Sequence, residues 1–145
     1  MEKEIHAFSI IAIGEDTNRN RFLLYFDTAW DCWFFPNFKT IEHENERNIM
    51  RKLSELLKMS YENIHLHFVA NRIHEKYSER DHIDKLYRHS LYSCRIKLIP
   101  TVMQEHEFII ENQRYRWMTI ADMERDETIM AKNKDVVEFV KEKIS

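Results

Sequence analysis

Several residues in this sequence are of types and spacings that do chemistry. Arg51 and Glu55 stand four apart, so on a helix they share a face. On spacing alone the two make an exposed ion pair worth a few tenths of a kcal/mol. Lys39, Lys52 and Lys58 are compact positive charges that an anion would meet. Glu42 and Glu44 flank His43 just ahead of the same stretch, where negative charge also favours a helix N-terminus. His65 and His67 lie two apart, a legal spacing for zinc on one strand face. The sequence places no third ligand, and solvent- or cleft-facing neutral imidazoles are the plainer reading. Trp30, Trp33, Phe34 and Phe35 could stack on a base. Most aromatics in such runs are core, so one of the four, taken as Trp33, is expected to face a ligand.

Elements must position these groups. His6 to Ile13, Arg21 to Asp27 and Trp30 to Phe35 are apolar runs separated by turn residues, and they read as neighbouring strands. From Glu42 to Met59 the period changes. Ile49, Met50, Leu53, Leu56 and Leu57 recur at helical spacing, with Glu44, Arg47, Arg51, Glu55 and Lys58 opposite. That spacing puts Leu56 on the core face. Ile64 to Ala70 and Leu91 to Ile99 alternate as strands do. The charged stretch Glu79 to His89 between them reads as a mobile connection. Phe108 to Ile110 and Tyr115 to Met118 flank a turn at Glu111-Asn112-Gln113. Thr119 and Asp122 fit a capping box, and Val136, Val137, Val140 and Ile144 mark a last amphipathic helix. About six or seven strands, one long central helix and terminal helices make an α+β layered domain.

Composition narrows the function. The 145 residues, read as one domain over 1–145, are 43% hydrophobic and 32% charged, the balance of a soluble folded protein. Twenty-two basic against 25 acidic residues leave a net charge of −3, which disfavours a long nucleic acid as partner. No apolar run approaches the ~20 residues of a membrane span, and no cleavable signal is evident at the N-terminus. Gly14 is the single glycine, so Rossmann and P-loop phosphate cradles, which need two or three, are excluded. Cys32 and Cys94, far apart and outside any CxxC, are expected as free, buried thiols in a reducing cytoplasm.

From Trp33 to Met59 the order of features is specific. A strand ends in Phe34-Phe35-Pro36, Lys39 follows, and the helix carries Arg51-x-Leu53-x-Glu55. This resembles the Nudix hydrolases, and the resemblance runs in order along nearly the whole chain, including Tyr115 to Thr119 before a terminal helix. It implies a Nudix-like α/β/α sandwich with a mixed β-sheet. The family signature is Gly, five residues, Glu, seven residues, then Arg-Glu-hydrophobic-x-Glu-Glu-x-Gly-hydrophobic. Laid on this chain, it puts Asn37 at the first Gly and His43 at the first Glu. Arg51, Leu53, Glu55 and Met59 match. Lys52, Leu56 and Lys58 stand where a Glu, a second Glu and a Gly belong. The stretch WDCWFFPNFKT is most similar to the SMODS-associated Nudix group, whose members are encoded beside cyclic-oligonucleotide synthases in bacterial anti-phage systems.

The departures bear on chemistry. The family's Mg²⁺ is held by glutamates of one helix face, and Mg²⁺ demands a near-octahedral shell of hard oxygens. Here those positions read Lys52, Glu55 and Leu56. The expectation is therefore a catalytically degenerate domain without a bound cofactor, whose Arg51, Lys39, Lys52 and Trp33 bind a nucleotide or a cyclic oligonucleotide. Residual catalysis would fall to Glu55 with Arg51. Two alternatives stay open. One is a Mg²⁺- or Mn²⁺-dependent hydrolase of nucleoside diphosphate derivatives, its metal held by Glu55 with a recruited acid: Glu42 or Glu44 by a loop shift, or Glu105, Glu107 or Glu111 from a later strand. The other is an interaction module or homodimer presenting Met and aromatic side chains.

Overall fold

A continuous apolar run makes a strand that is buried on both faces, since successive side chains point to opposite sides. β1 (Ile5–Glu15) does this, sending Ile10 and Ala12 into one core and Ile11 and Ile13 into another. The computed structural model describes residues 5–15, 20–78 and 82–144. Around β1 it builds an eight-stranded mixed sheet from β2 (Arg21–Asp27), β3 (Cys32–Phe34), β4 (Asn37–Lys39), β5 (Ile64–Ser78), β6 (Ile83–Ile96), β7 (Glu107–Ile110) and β8 (Gln113–Thr119). The spatial order is β5-β6-β1-β2-β8-β7, with β3 joined to β2 and β4 to β1. β1 and β6 run parallel and the other described pairs antiparallel.

Helices cover both faces. α1 (Asn45–Leu57) lays Ile49, Leu53 and Leu57 on the face that carries Ile11, Ile13, Leu23 and Trp117. α2 (Ile120–Glu124) and α3 (Glu127–Lys143) lay Met123, Ile129, Val136, Val137, Phe139 and Val140 on the other. This is the expected α/β/α sandwich. The capping box at α2 is present: Asp122 N donates to Thr119 Oγ1 at 3.0 Å and Thr119 N donates to Asp122 Oδ2 at 3.1 Å. The N-terminus of α1 is tied to the sheet, since Asn45 Nδ2 donates to Ser9 Oγ at 3.0 Å and to the Tyr92 hydroxyl at 3.1 Å. Cys32 and Cys94 are free and buried, as expected.

Three expectations are corrected. The stretch from Glu79 to His89 is not a mobile connection: β6 begins at Ile83, and Glu79 to Asp81 lie outside the described residues. Its charged side chains escape burial while the backbone pairs with β5 as far as Ser78↔Ile83. β5 likewise continues eight residues past Ala70. A bulge between Phe68 and Ala70 explains the broken alternation, because one extra residue turns every later side chain to the opposite face. Before it, Ile64 and Leu66 face α1; after it, Ala70 joins the α3 core. Third, Leu56 is not on the core face of α1 but 44% exposed.

Glycine is absent from the turns that usually require it. Asp31, Glu44, Lys58, His82, Glu111 and Asn112 all take left-handed backbone with φ between 47° and 70°. Gly14 is instead an extended strand residue.

Candidate functional site

The sheet splits between its two central strands. Among the described residues β1 and β2 are in register at Gly14↔Phe22. Farther along, Phe8, Ser9 and Ile10 pair with β4, and Tyr25, Phe26 and Asp27 pair with β3. Pro36 sits at the bend between β3 and β4, and its carbonyl accepts from Ile11 N at 2.9 Å. α1 crosses this split. Its Leu53, Leu56 and Leu57 form one wall of a cleft of about 240 Å³, and Tyr25, Asn37, Phe38 and Tyr115 are among the others. A second cleft of about 280 Å³ shares Tyr25 and Gln113 with it and adds Asp27, Thr28, Asn112 and Arg114. The two make one trough, apolar at the helix and polar at the β7–β8 turn. Asn37 Nδ2 donates to the Tyr25 hydroxyl at 3.2 Å and to the Phe35 carbonyl at 3.0 Å, and so fixes the floor.

Lys39, Arg51, Lys52, Glu55 and Trp33, singled out from the sequence, are not among the residues that line these clefts. Glu55 is exposed on α1, with no ion pair among the described residues. Arg51 is also exposed, and it donates to Asn48 Oδ1 at 2.8 Å rather than to Glu55. Lys52 lies with its ammonium 5.3 Å from the centre of the Phe38 ring. Lys39, next to Phe38 in β4, is exposed, and strand alternation directs it away from the face that Phe38 turns to α1. Trp33 is 6% exposed, with the Arg116 guanidinium 4.5 Å and that of Arg114 5.3 Å from its ring centre. Both arginines would have to move before a base could stack on it. The sequence signal for this burial was Cys32-Trp33-Phe34 itself, too short and apolar to be an open surface.

Carboxylates decide whether Mg²⁺ fits. Glu44 is exposed, pairs with Arg47 at 3.4 Å and precedes α1. It stands eleven positions before Glu55, about 16 Å along the axis at 1.5 Å per residue, so the two cannot share an ion. Glu111 does reach the end of α1, but Lys58 Nζ holds it at 3.1 Å. Glu107 accepts from Arg116 at 2.6 and 2.9 Å and from Arg114 at 3.3 Å. Those hydrogen bonds, that from Arg116 first, hold its carboxyl below the usual range. Glu44, Glu111 and Glu107 therefore do not join Glu55 in a set of hard oxygens of the kind Mg²⁺ wants.

The cleft and its surroundings hold hydroxyl and thiol groups in their neutral forms. Burial pushes Tyr115 up to about 12 and Cys94, beneath α1, up to about 12. Groups whose folded value is raised stabilise the fold fully below their unfolded value, and that stability is lost as pH climbs through the folded one. The window here runs from about pH 9 to 12. Stability is expected to fall by about 2 kcal/mol between pH 8 and pH 10.5, chiefly through Cys94. Urea midpoints at the two pH values check this, and Cys94→Ala should flatten the dependence.

A separate cluster lies on the α3 face. After the bulge β5 turns His74 toward α3, where it meets His89 of β6, ring centres 5.1 Å apart, and Asp135, with Nδ1 3.8 Å from Oδ2. Burial lowers both imidazoles below the ordinary histidine range, His89 to about 4. Sequence reading passed over these residues because His74 lies beyond the alternating stretch and the bulge inverts the pattern that would have paired it with His89.

No family model matches the sequence, and no curated protein matches it. Solved structures do. The chain is similar to an Ap4A hydrolase of C. elegans at 14% identity and a TM-score of 0.60, covering 95% of each chain. It is similar to the NUDIX domain of Shewanella oneidensis NrtR, solved with ADP ribose, at 13% identity and a TM-score of 0.62, covering 97% of this chain and 89% of that one. It is also similar to the E. coli dihydroneopterin triphosphate pyrophosphohydrolase at 14% identity and a TM-score of 0.61, covering 89% and 95%. At these identities the likeness is one of fold: the chain has the Nudix fold.

Proposed function

We propose that this chain is a nucleotide-binding Nudix-fold domain that holds its ligand in the trough at the β1–β2 split without family-type Mg²⁺ hydrolysis. One observation carries the reading: the α1 wall of that trough is apolar, Leu53, Leu56 and Leu57, and Leu56 stands where the family signature has an acid. Such a surface suits the flat apolar face of a base or sugar between Leu56, Phe38, Tyr25 and Tyr115. Asp27, Thr28, Asn112 and Arg114 at the polar end suit hydroxyls and phosphate oxygens. Structural relatives with nucleotide derivatives in their names, a diadenosine tetraphosphate hydrolase and an ADP-ribose complex, point the same way. Lys52 and Arg51 would add fixed positive charge at the rim. The resemblance of WDCWFFPNFKT to the SMODS-associated group suggests a cyclic oligonucleotide as ligand and a sensor or accessory role in bacterial anti-phage signalling.

Thermal melting against linear nucleotides, ADP-ribose and cyclic di- and trinucleotides, each with and without Mg²⁺, tests this. Stabilisation without Mg²⁺ and without product release supports it, since a ligand bound only by the native state raises stability. Leu56→Trp, which fills the trough from its exposed wall, should remove the shift. A second reading, a Mg²⁺-dependent hydrolase using Glu55, is favoured by the hydrolases among the structural relatives. Metal-dependent turnover that disappears in Glu55→Gln would establish it and overturn the first.

A further inference from the structure

His74, His89 and Asp135 come together from three elements that the sequence keeps far apart. One donor atom from each lies within 4.8 Å of the other two. Two features set the cluster apart from an incidental surface group. It is covered: His89 is 5% exposed, and His74 and Asp135 are partly buried. It is also under-satisfied, since His89 Nδ1 and His74 Nε2 are buried without a hydrogen-bond partner, and such atoms are costly unless something pairs with them. The neighbouring cations are Lys76, whose ammonium is 2.8 Å from Asp135 Oδ2, and Arg72, which is engaged by Glu142 at 2.5 Å and lies over the Phe139 ring.

We infer that His74, His89 and Asp135 form a binding site for a borderline first-row divalent cation of the zinc class, on the sheet face opposite α1. Two imidazoles and a carboxylate are three-quarters of a tetrahedral zinc shell, with water as the fourth ligand. Bonds of about 2.0–2.1 Å set tetrahedral donors roughly 3.3 Å apart. The His74–Asp135 approach is already near that, and side-chain rotation closes the remainder. Lys76 neutralises Asp135 when no metal is bound and swings outward, where its side chain is partly exposed, when one is. Hard, hydrated Mg²⁺ is a poor match for two imidazoles, so the site is distinct in kind as well as place from a Nudix metal. Its consequence is structural: an ion here clamps α3 to the outer half of the β5–β6 hairpin.

Protein stripped with a chelator and then titrated with Zn²⁺, and with Co²⁺ as a spectroscopic probe, tests the site. One ion per chain, visible d–d bands of a four-coordinate cobalt–imidazole complex and a raised melting temperature are expected. His74→Ala and Asp135→Asn should each weaken binding by at least about a hundredfold, more than the loss of an outer partner costs. Lys76→Ala removes the competing ammonium without touching a ligand, and it should tighten binding. Glu55→Gln should leave binding unchanged, so this inference and the reading of the α1 trough can fail separately. Zn²⁺ binding that survives His74→Ala, or that is lost instead in His65→Ala/His67→Ala, would overturn the assignment, as would no binding at all.

Discussion

Replacing Lys52 and Leu56 together by glutamate is expected to raise Mn²⁺ affinity at the trough about a hundredfold over the native chain. Positions 55 and 56 lie three and four residues after position 52, so both side chains neighbour that of residue 52 on α1. A unit charge about 6 Å from a divalent ion is worth roughly 1.4 kcal/mol in water, and reversing the sign at residue 52 doubles that. The sum of about 2.8 kcal/mol corresponds to two powers of ten in affinity. The added carboxylate at residue 56, now the exposed Leu56 on the cleft wall, supplies a direct oxygen ligand besides. The change costs the fold little, because Leu56 is half out of the core and Lys52 gives up only its contact with Phe38. Calorimetry in a His74→Ala background keeps the histidine cluster out of the measurement. A native chain that already binds Mn²⁺ as tightly as the double variant would mean that other acids complete the site.

Trp117→Ala is expected to destabilise the protein by about 3–5 kcal/mol. Trp117 is fully buried at the centre of the α1-side core. Its indole Nε1 donates to the Met103 carbonyl at 2.8 Å, and the Arg21 guanidinium lies 5.5 Å from its ring centre. Truncation leaves a cavity and strands a buried carbonyl. Against a typical total of about 5–15 kcal/mol, the loss leaves a marginal fold at best. Trp117→Phe keeps much of the volume but not the hydrogen bond, so a smaller loss of about 1–3 kcal/mol is expected. Urea unfolding of both variants measures the difference, and a Trp117→Ala loss below about 1 kcal/mol would contradict this packing.

Much of the scaffold was legible because it rests on local rules. β1 and β2 announce themselves by continuous apolar runs, α1 by its leucines, the β7–β8 turn by Glu111-Asn112, and α2 by the Thr119–Asp122 box. What escaped was set by tertiary context. The outer half of the β5–β6 hairpin is too charged to read as strand, and its cross-strand ladder, not its side chains, makes it one. Leu56 reads as core by periodicity, yet α1 lies over a split in the sheet and has nothing to cover at that position. The site followed the same division. Glu55, Arg51 and Lys52 could be singled out together because they share one helix, whereas Trp33 sits beneath two arginines contributed by a strand about eighty residues away. His74, His89 and Asp135 belong to three elements and meet only after a bulge, which no single-strand pattern reveals.

Turning corners on Asp31, Glu44, Lys58, His82, Glu111 and Asn112 instead of on glycine shifts where the chain bears its conformational cost. Each of these residues holds a backbone geometry that is about 1–2 kcal/mol uphill for an L-amino acid with a side chain. In return, a chain nearly free of glycine has fewer conformers open to it once denatured, and so less disorder to gain by melting. The native state is thus held partly by the poverty of its competitor, a contribution that no inventory of contacts within the folded molecule would register.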